Sequence, residues 1–228
     1  MIHHFSCAGM RHLETGTENQ DAFSIHSNDR YAAMVLADGV SSCTHASQGA
    51  QLACETAAQL LLDCADYFMS APSEMIPRII LRNILHALGK QADKERVRIE
   101  EFSSTLAFIL HDRKQRKLLL FQLGDGLIIG CQDRRCLCLL QPGDSTDGAC
   151  VTTTRHAESQ CSIRRLDAGQ CQAAMLLTDG AWHAFTSCGR LRQEVQEAFV
   201  CGEYHVLQSL LKQTSPMDDH SYLILTTV

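Results

Sequence analysis

The stretch Tyr31–Gly39 reads YAAMVLADG and indicates how the fold is layered. Its residues from Ala32 to Leu36 are apolar without interruption, which is typical of a strand buried on both faces. The run ends in Asp38 and Gly39, and a carboxylate at that position is costly to bury without a partner. The stretch therefore predicts a covered strand with an acidic group where the strand meets a loop.

Strand-like sequence alternates with amphipathic helices on either side of this stretch. Apolar residues recur at helical spacing over Ala46–Leu62 and Glu74–Arg98, which predicts two helices that pack on the core. From Ser103 the pattern is that of short strands joined by polar turns. A helical segment over Leu191–Leu211, interrupted at Gly202, precedes the last strand. Two runs of strands, each followed by helices, predict an α+β fold of two antiparallel sheets with helices outside.

Acidic residues stand at the ends of five strand-like runs. Carboxylates placed where buried strands meet loops converge at one rim of a sheet, where they repel one another unless a cation lies between them. Oxygen-only ligation favours a hard ion, so we expect magnesium or manganese in preference to zinc, which normally recruits Cys or His. These positions are Asp21, Asp38, Asp125, Asp179 and the pair Asp218-Asp219.

The composition is compatible with one domain over residues 1–228. The chain is 45% hydrophobic, and no linker or internal repeat is visible. A net charge of −6 and an isoelectric point near 6.0 argue against a non-specific nucleic-acid binder. Without an apolar run of transmembrane length or a signal-peptide pattern, the sequence predicts a cytoplasmic protein with no membrane segment. The twelve scattered cysteines are interpreted as reduced, small core residues.

In their order and flanks, several of these segments resemble the type 2C, metal-dependent protein Ser/Thr phosphatase family, in particular its smaller bacterial members. The resemblance runs from about Gly9 to Val228. Each motif alone is weak, because Asp-Gly is a common turn dipeptide, but together they follow the family's order. The motifs are Asn19-Gln20-Asp21, Asp38-Gly39, the helix start Ser47-Gln48-Gly49-Ala50, Ser104-Thr105, Gly124-Asp125, Thr178-Asp179-Gly180 and Asp218-Asp219-His220-Ser221.

The resemblance implies a four-layer αββα fold and a defined reaction. The expected activity is hydrolysis of phosphoserine or phosphothreonine in a phosphoprotein substrate, in opposition to a Ser/Thr kinase. A water that bridges two Mn²⁺ or Mg²⁺ ions attacks the phosphorus, and some members bind a third ion. Two ions about 3.5 to 4 Å apart lower the pKa of that water and stabilise the charge of the phosphoryl group. No protein nucleophile is therefore expected.

Position by position, the resemblance also implies a role for each candidate residue. The bridging ligand lies between the two ions, and a further carboxylate orients an ion-bound water without ligating the metal. The expected metal set is Asp38 as the bridge, the Gly39 carbonyl, Asp179, Asp218, Asp125 for a third ion, and Gln20 where the family has Glu. The expected catalytic set is Asp38, Asp179, Asp218 and Asp21, the last of which orients the water.

Several of these assignments have alternatives that the sequence leaves open. Asp125 followed by Gly126 could form a simple hairpin turn. Asp218 could be solvated in its loop, and Asp219 could be the ligand in its place. Cys43, in the loop after Asp38, is close enough in sequence for its oxidation to affect the site.

The chain departs from the family at positions that surround the expected metal. Gly16 stands where better-known members have a phosphate-gripping Arg, and Arg11 or His12 could replace that contact. Gln20 replaces a Glu, and its neutral amide is a weaker ligand for a hard cation, or it could point into solvent. Val40 stands where a His often follows Asp-Gly. Two other hypotheses therefore stay open: a pseudophosphatase that binds a phosphoprotein without turnover, and a hydrolase of small phosphate esters.

Overall fold

The helices and strands of the fold are taken from a computed structural model that describes residues 1–143 and 149–227. Most lie within a few residues of the sequence prediction. The strands are β1 Ile2–Cys7, β2 Asp21–Ser27, β3 Tyr31–Asp38, β4 Leu106–Asp112, β5 Lys117–Leu123, β6 Leu127–Gln132, β7 Arg135–Leu140, β8 Ser162–Asp167, β9 Ala173–Leu177, β10 Thr186–Ser187, β11 Arg190–Leu191 and β12 His220–Thr226. The α-helices are α1 Met10–Thr15, α2 Ala46–Asp63, α3 Ala65–Ser70, α4 Met75–Glu95, α5 Asp179–Phe185, α6 Gln193–Cys201 and α7 Tyr204–Thr214.

Two five-stranded antiparallel sheets form the centre of the structure. The first sheet has the order β1-β12-β9-β6-β7 and the second has the order β2-β3-β4-β5-β8. β10 and β11 form a separate small hairpin. The prediction of two antiparallel sheets is confirmed.

β3 is apolar on both faces because both faces are covered. Successive strand residues point to opposite sides of a sheet. Ala33 and Val35 pack with the helices on the outer side, whereas Met34 and Leu36 pack against the first sheet, where Leu223 of β12 lies. The uninterrupted apolar run thus fills two separate cores.

Helices cover the outer face of each sheet and complete the four layers. α2 and α4 cover the second sheet through residues such as Ala57 and Ile80, while α5, α6 and α7 cover the first through residues such as Phe199 and Leu207. Each large apolar side chain buried in this way contributes about 1.5 to 3 kcal/mol. The αββα arrangement is therefore maintained by three apolar layers.

Two short helices were not predicted. α1 and α3 are six residues long, too short for a helical period to be recognised in the sequence. The segment 141–160, predicted as loop, includes residues 144–148, which lie outside the described residues. Within its described part, Ala157–Ser159 forms a single 3-10 turn.

None of the twelve cysteines forms a disulfide bond. Cys54 is buried in the core, as predicted, whereas Cys64, Cys138, Cys188 and Cys201 are exposed, so the prediction of core thiols was wrong for those four. Among the described helices, none has both the length and the apolar character needed to cross a bilayer.

Candidate active site

Four carboxylates from both sheets line one cavity of about 170 Å³. Asp38 ends β3 and Asp125 follows β5, so both come from the second sheet. Asp179 begins α5 directly after β9, and Asp218 precedes β12, so both come from the first sheet. The rest of the lining is Gly39, Val40, Ser41, Thr105, Ala149 and Val151. The structure thus brings together these four candidate residues from distant parts of the chain.

Asp21 lies behind this cavity and is almost completely buried. The Thr178 hydroxyl donates to Asp21 Oδ2 over 3.0 Å. Asp21 Oδ1 has no hydrogen-bond partner among the described residues. Burial raises the pKa of Asp21 to about 8, and the charges of Asp219 and Asp179 add to the rise. A carboxylate in this position favours either a proton or a nearby cation.

The carboxyl groups of the cavity are also difficult to ionise together. Burial raises the pKa of Asp38 well above its usual value, and the charges of Asp21 and Asp179 raise it further. Burial likewise raises the pKa of Asp125, with the charge of Asp179 as the next cause. A bound divalent cation would reverse this preference, because it stabilises the ionised forms.

Thr105 fixes the end of β3 at the cavity. The Asp38 N–H donates to Thr105 Oγ1 over 3.0 Å, and the Thr105 N–H donates to the Asp38 carbonyl over 2.8 Å. The sequence assigned Ser104-Thr105 only to the start of a strand. Its position in the family's motif order was the signal that this residue lies at the site.

Asp218 and Asp219 have different environments, although they are neighbours. Asp218 lines the cavity. Asp219 is 2% exposed, and its Oδ1 accepts hydrogen bonds from the Gly9 N–H and from His12 Nδ1, both over 2.8 Å. Its Oδ2 accepts from the Gln20 N–H over 2.6 Å. Asp219 therefore joins three segments beneath the cavity and does not face it.

This arrangement decides two of the alternatives from the sequence. His12 is buried and hydrogen-bonded to Asp219, so it is not available for a substrate phosphate, and that hypothesis was wrong. Gln20 is only 8% exposed, so the hypothesis that it points into solvent was also wrong. The side-chain Oε1 of Gln20 has no hydrogen-bond partner in the described parts of the chain. Its main-chain carbonyl accepts the Gly39 N–H over 3.1 Å. Gln20 does not line the cavity itself.

Asp125 does not lie in a hairpin turn. β5 belongs to the second sheet and β6 to the first, so the Asp125-Gly126 segment crosses between sheets. The Trp182 indole N–H donates to the Asp125 carbonyl over 2.9 Å and ties this crossing to α5. The hairpin interpretation was therefore wrong.

Two glycines allow the Asp218-Asp219 loop to pack closely against its neighbours. A Cβ at Gly9 would lie 2.3 Å from the Asp218 carbonyl carbon, and one at Gly180 would lie 2.1 Å from the Asp219 carbonyl oxygen. Neither distance is compatible with a side chain. A larger residue at either position would displace the loop that places Asp218 at the cavity.

The cavity offers the kind of donor atoms that a hard divalent cation prefers. The polar lining of the cavity is oxygen, and Gln20 Oε1 and Asp21 Oδ1 are buried nearby without a hydrogen-bond partner in residues 1–143 and 149–227. Oxygen ligands of this kind suit magnesium or manganese. In those same ranges, no three Asp, Glu, His or Cys side chains are already grouped closely enough to hold an ion.

Comparison with known proteins identifies the family. A family profile described as protein phosphatase 2C matches residues 8–214. The chain therefore belongs to the protein phosphatase 2C family, as its motifs predicted. No curated protein sequence gives a significant match.

Solved structures share the fold at low sequence identity. A bacterial serine phosphatase is 12% identical, with a TM-score of 0.72 over 100% of this chain and 97% of that one. The serine/threonine phosphatase Stp1 from Staphylococcus aureus is 11% identical, with a TM-score of 0.68 over 99% and 94% of the two chains. The catalytic domain of the serine threonine protein phosphatase PstP, in complex with two manganese ions, is 16% identical, with a TM-score of 0.67 over 98% and 96%.

Proposed function

We propose that the chain is a metal-dependent protein phosphatase that hydrolyses phosphoserine and phosphothreonine with two Mn²⁺ or Mg²⁺ ions. The observation that supports this most directly is the convergence of Asp38, Asp125, Asp179 and Asp218 on one cavity. The proposal takes residues 1–228 as one catalytic domain. Its substrate would be a cytoplasmic phosphoprotein, and its action would oppose a Ser/Thr kinase.

The proposed metal ligands are the cavity carboxylates and the Gly39 carbonyl. Asp38 would bridge two ions, Asp179 and Asp218 would complete the first ion's ligands, and Asp125 would help to hold a third. When bound, the ions would lower the pKa of a water and offset the negative charge of the phosphoryl group.

The protein's own groups would keep this arrangement in place. Thr105 fixes the backbone of Asp38 through two hydrogen bonds. Asp21, held by the Thr178 hydroxyl, would accept a proton or a hydrogen bond from water at the back of the cavity. The main-chain carbonyl of Gln20 accepts the Gly39 N–H, and its buried side-chain Oε1, which has no hydrogen-bond partner in the described residues, would offer a neutral oxygen to a nearby ion. None of these residues acts as a nucleophile.

Arg11 is the remaining candidate for the phosphate contact from the sequence. Gly16 ends α1 in a left-handed conformation and has no side chain to offer. The main-chain N–H of Arg11 donates to the main-chain carbonyl of Met217 over 3.1 Å, which places the start of α1 beside Asp218. The Arg11 side chain is exposed and could approach a bound phosphoprotein. We propose that it binds the substrate phosphate.

Manganese-dependent hydrolysis of a phosphothreonine peptide tests the function. We expect turnover that requires manganese or magnesium. A competing phosphopeptide should inhibit this turnover more strongly than a competing small phosphate ester. Arg11→Ala should raise KM more than it lowers kcat. Arg82→Ala, which removes an exposed arginine on α4, should change neither. Binding of phosphopeptide without turnover would support the pseudophosphatase, and preference for small esters would support the metabolite hydrolase.

A further inference from the structure

A second cavity, of about 420 Å³, opens at the opposite end of the two sheets. It is lined by the end of β4, the β4–β5 connection and the ends of β1 and β12. His111 near the end of β4 is six residues from Thr105 of the carboxylate cavity. At about 3.3 Å per residue in an extended strand, the two cavities are roughly 20 Å apart. This second cavity, which we call the His111 cavity, is therefore separate from the proposed active site.

His111 is an unusual residue for its position. It shares a strand face with Ile109, which belongs to the apolar layer between the sheets. The His111 residue is 6% exposed, and its imidazole makes no hydrogen bond to any described residue, although it lines the cavity. Its nitrogen atoms are not among the buried unpartnered atoms of the described residues, so they are accessible from the cavity. The imidazole N–H is therefore able to donate to a ligand there.

Two arginines stand beside His111 at the cavity. Arg113 directs one guanidinium nitrogen to the carbonyls of Asn28 and Tyr31, which holds it in place and leaves its other N–H groups available. The Arg116 side chain makes no hydrogen bond within the described ranges. Both guanidinium groups are therefore able to donate to a ligand.

Two acidic residues close in the fold, Asp112 and Asp167, make hydrogen bonds to other groups, and within the described ranges neither forms an ion pair with Arg113 or Arg116. Asp112 is fully buried and accepts a hydrogen bond from Arg30 over 2.8 Å. Asp167 accepts the Gly169 N–H over 2.7 Å. Burial lowers the pKa of His111 to about 4, and the charge of Arg113 lowers it further, so the imidazole is neutral near pH 7 and has one N–H to donate. The His111 cavity thus presents the guanidinium groups of two arginines and a neutral donor, and it is also lined by Met1, whose ammonium group donates to the Thr226 carbonyl over 3.3 Å.

We propose that the His111 cavity binds a small oxyanion, a phosphate or carboxylate group, between Arg113, Arg116 and the His111 imidazole. Guanidinium groups match both anions in shape, since two parallel N–H groups can donate to two oxygens of one anion. The apolar part of the lining, which includes Leu225, would accommodate a small organic body attached to the anion. The carboxylate cavity offers no such site, because its described lining contains four aspartates and no basic side chain.

Nuclear magnetic resonance of histidine-labelled full chain tests this proposal. Metal is removed on a chelating resin, so that phosphate cannot bind through an ion at the carboxylate cavity and no chelator competes. Sodium phosphate and sodium acetate are then titrated separately against sodium chloride of equal ionic strength. We expect at least one of the two anions to shift the His111 imidazole signals saturably. A response to phosphate alone assigns the site to phosphate groups, and a response to acetate extends it to carboxylates.

Two variants of the β4–β5 connection separate a built site from general positive charge. Arg116→Ala should weaken anion binding about tenfold or more, because a charge-assisted hydrogen bond is lost. Lys114→Ala removes the same charge from the same connection but not from the cavity lining, and it should change the affinity less than about twofold. Equal weakening in both variants, or shifts that do not saturate, would overturn the proposal.

Discussion

Asp21 and Asp38 are direct cross-strand partners in the β2–β3 pair. Residues paired in this way have Cβ atoms about 4.5 to 5.5 Å apart, and like charges directly opposite are destabilising. Burial is the main cause of the raised pKa of both groups, and the charge of Asp21 raises the pKa of Asp38 further. The pair is therefore an energetic cost in the metal-free protein that a cation would remove.

We predict that manganese or magnesium raises the melting temperature. An ion that binds only the native state adds about 2.7 kcal/mol at a hundredfold excess over its dissociation constant. For a chain of this length that corresponds to a shift of roughly 5 to 10 °C. Differential scanning fluorimetry should show the shift in wild type and in the exposed hairpin variant Asp133→Asn, but not in Asp38→Asn. An unchanged melting temperature in wild type would contradict the proposed metal site.

Asp218→Asn should lower phosphatase activity, whereas Asp219→Asn should lower the stability of the fold. Asp218→Asn removes a cavity charge, so we expect the loss of phosphatase activity with little change in stability. Asn at position 219 would place an amide N–H₂ against a backbone or imidazole donor, at a cost of about 1 to 3 kcal/mol. Urea denaturation and turnover at saturating manganese check both variants. Near wild-type turnover in Asp218→Asn would contradict its assignment, and the same test applies to Asp38→Asn and Asp179→Asn.

Gln20→Glu should tighten the binding of manganese. A carboxylate is a stronger ligand than an amide for a hard cation, so the manganese concentration at half-maximal rate should fall. Turnover at saturating metal should change less. Coincident manganese titrations for the two proteins would contradict the position proposed for Gln20. A silent wild type that the substitution activates would favour the pseudophosphatase.

Thr105→Val should impair the site through Asp38. The variant keeps the shape of the side chain but removes the acceptor for the Asp38 N–H, at a cost of about 1 to 3 kcal/mol. We expect a lower kcat and a higher manganese requirement. Thr105→Ser retains the hydroxyl and should restore both. If Val and Ser behave alike, the hydroxyl does not position Asp38.

His111 should make stability fall at mildly acidic pH. Its pKa is about 4 in the folded protein and near 6.5 in the unfolded chain. Between those values the unfolded state binds more protons, so the free energy of unfolding decreases as the pH falls from about 6.5 to about 4. Above about 6.5 the group has no effect. The melting temperature of His111→Gln should fall less steeply over this range, and parallel curves would show that His111 titrates normally.

The sequence alone determined the layers and most of the candidate residues. The spacing of apolar residues in β3, α2 and α4 indicates which faces are covered, because the positions that an element buries are apolar along its whole length. Acidic residues at strand ends, in the order of a known family, indicated the carboxylates that line the cavity. These signals are local, so they could be read without knowledge of how the chain returns on itself.

Only the tertiary structure decided how neighbouring groups divide their roles. Asp218 and Asp219 have identical chemistry, and their difference depends on Gly9, His12 and Gln20, which approach from far away in the chain. The sequence likewise gave no indication that the Asp125 segment crosses between sheets or that the two arginines stand beside a buried His111. Hydrogen bonds and burial at such points depend on contacts between distant segments, which the periodicity of a single element does not record.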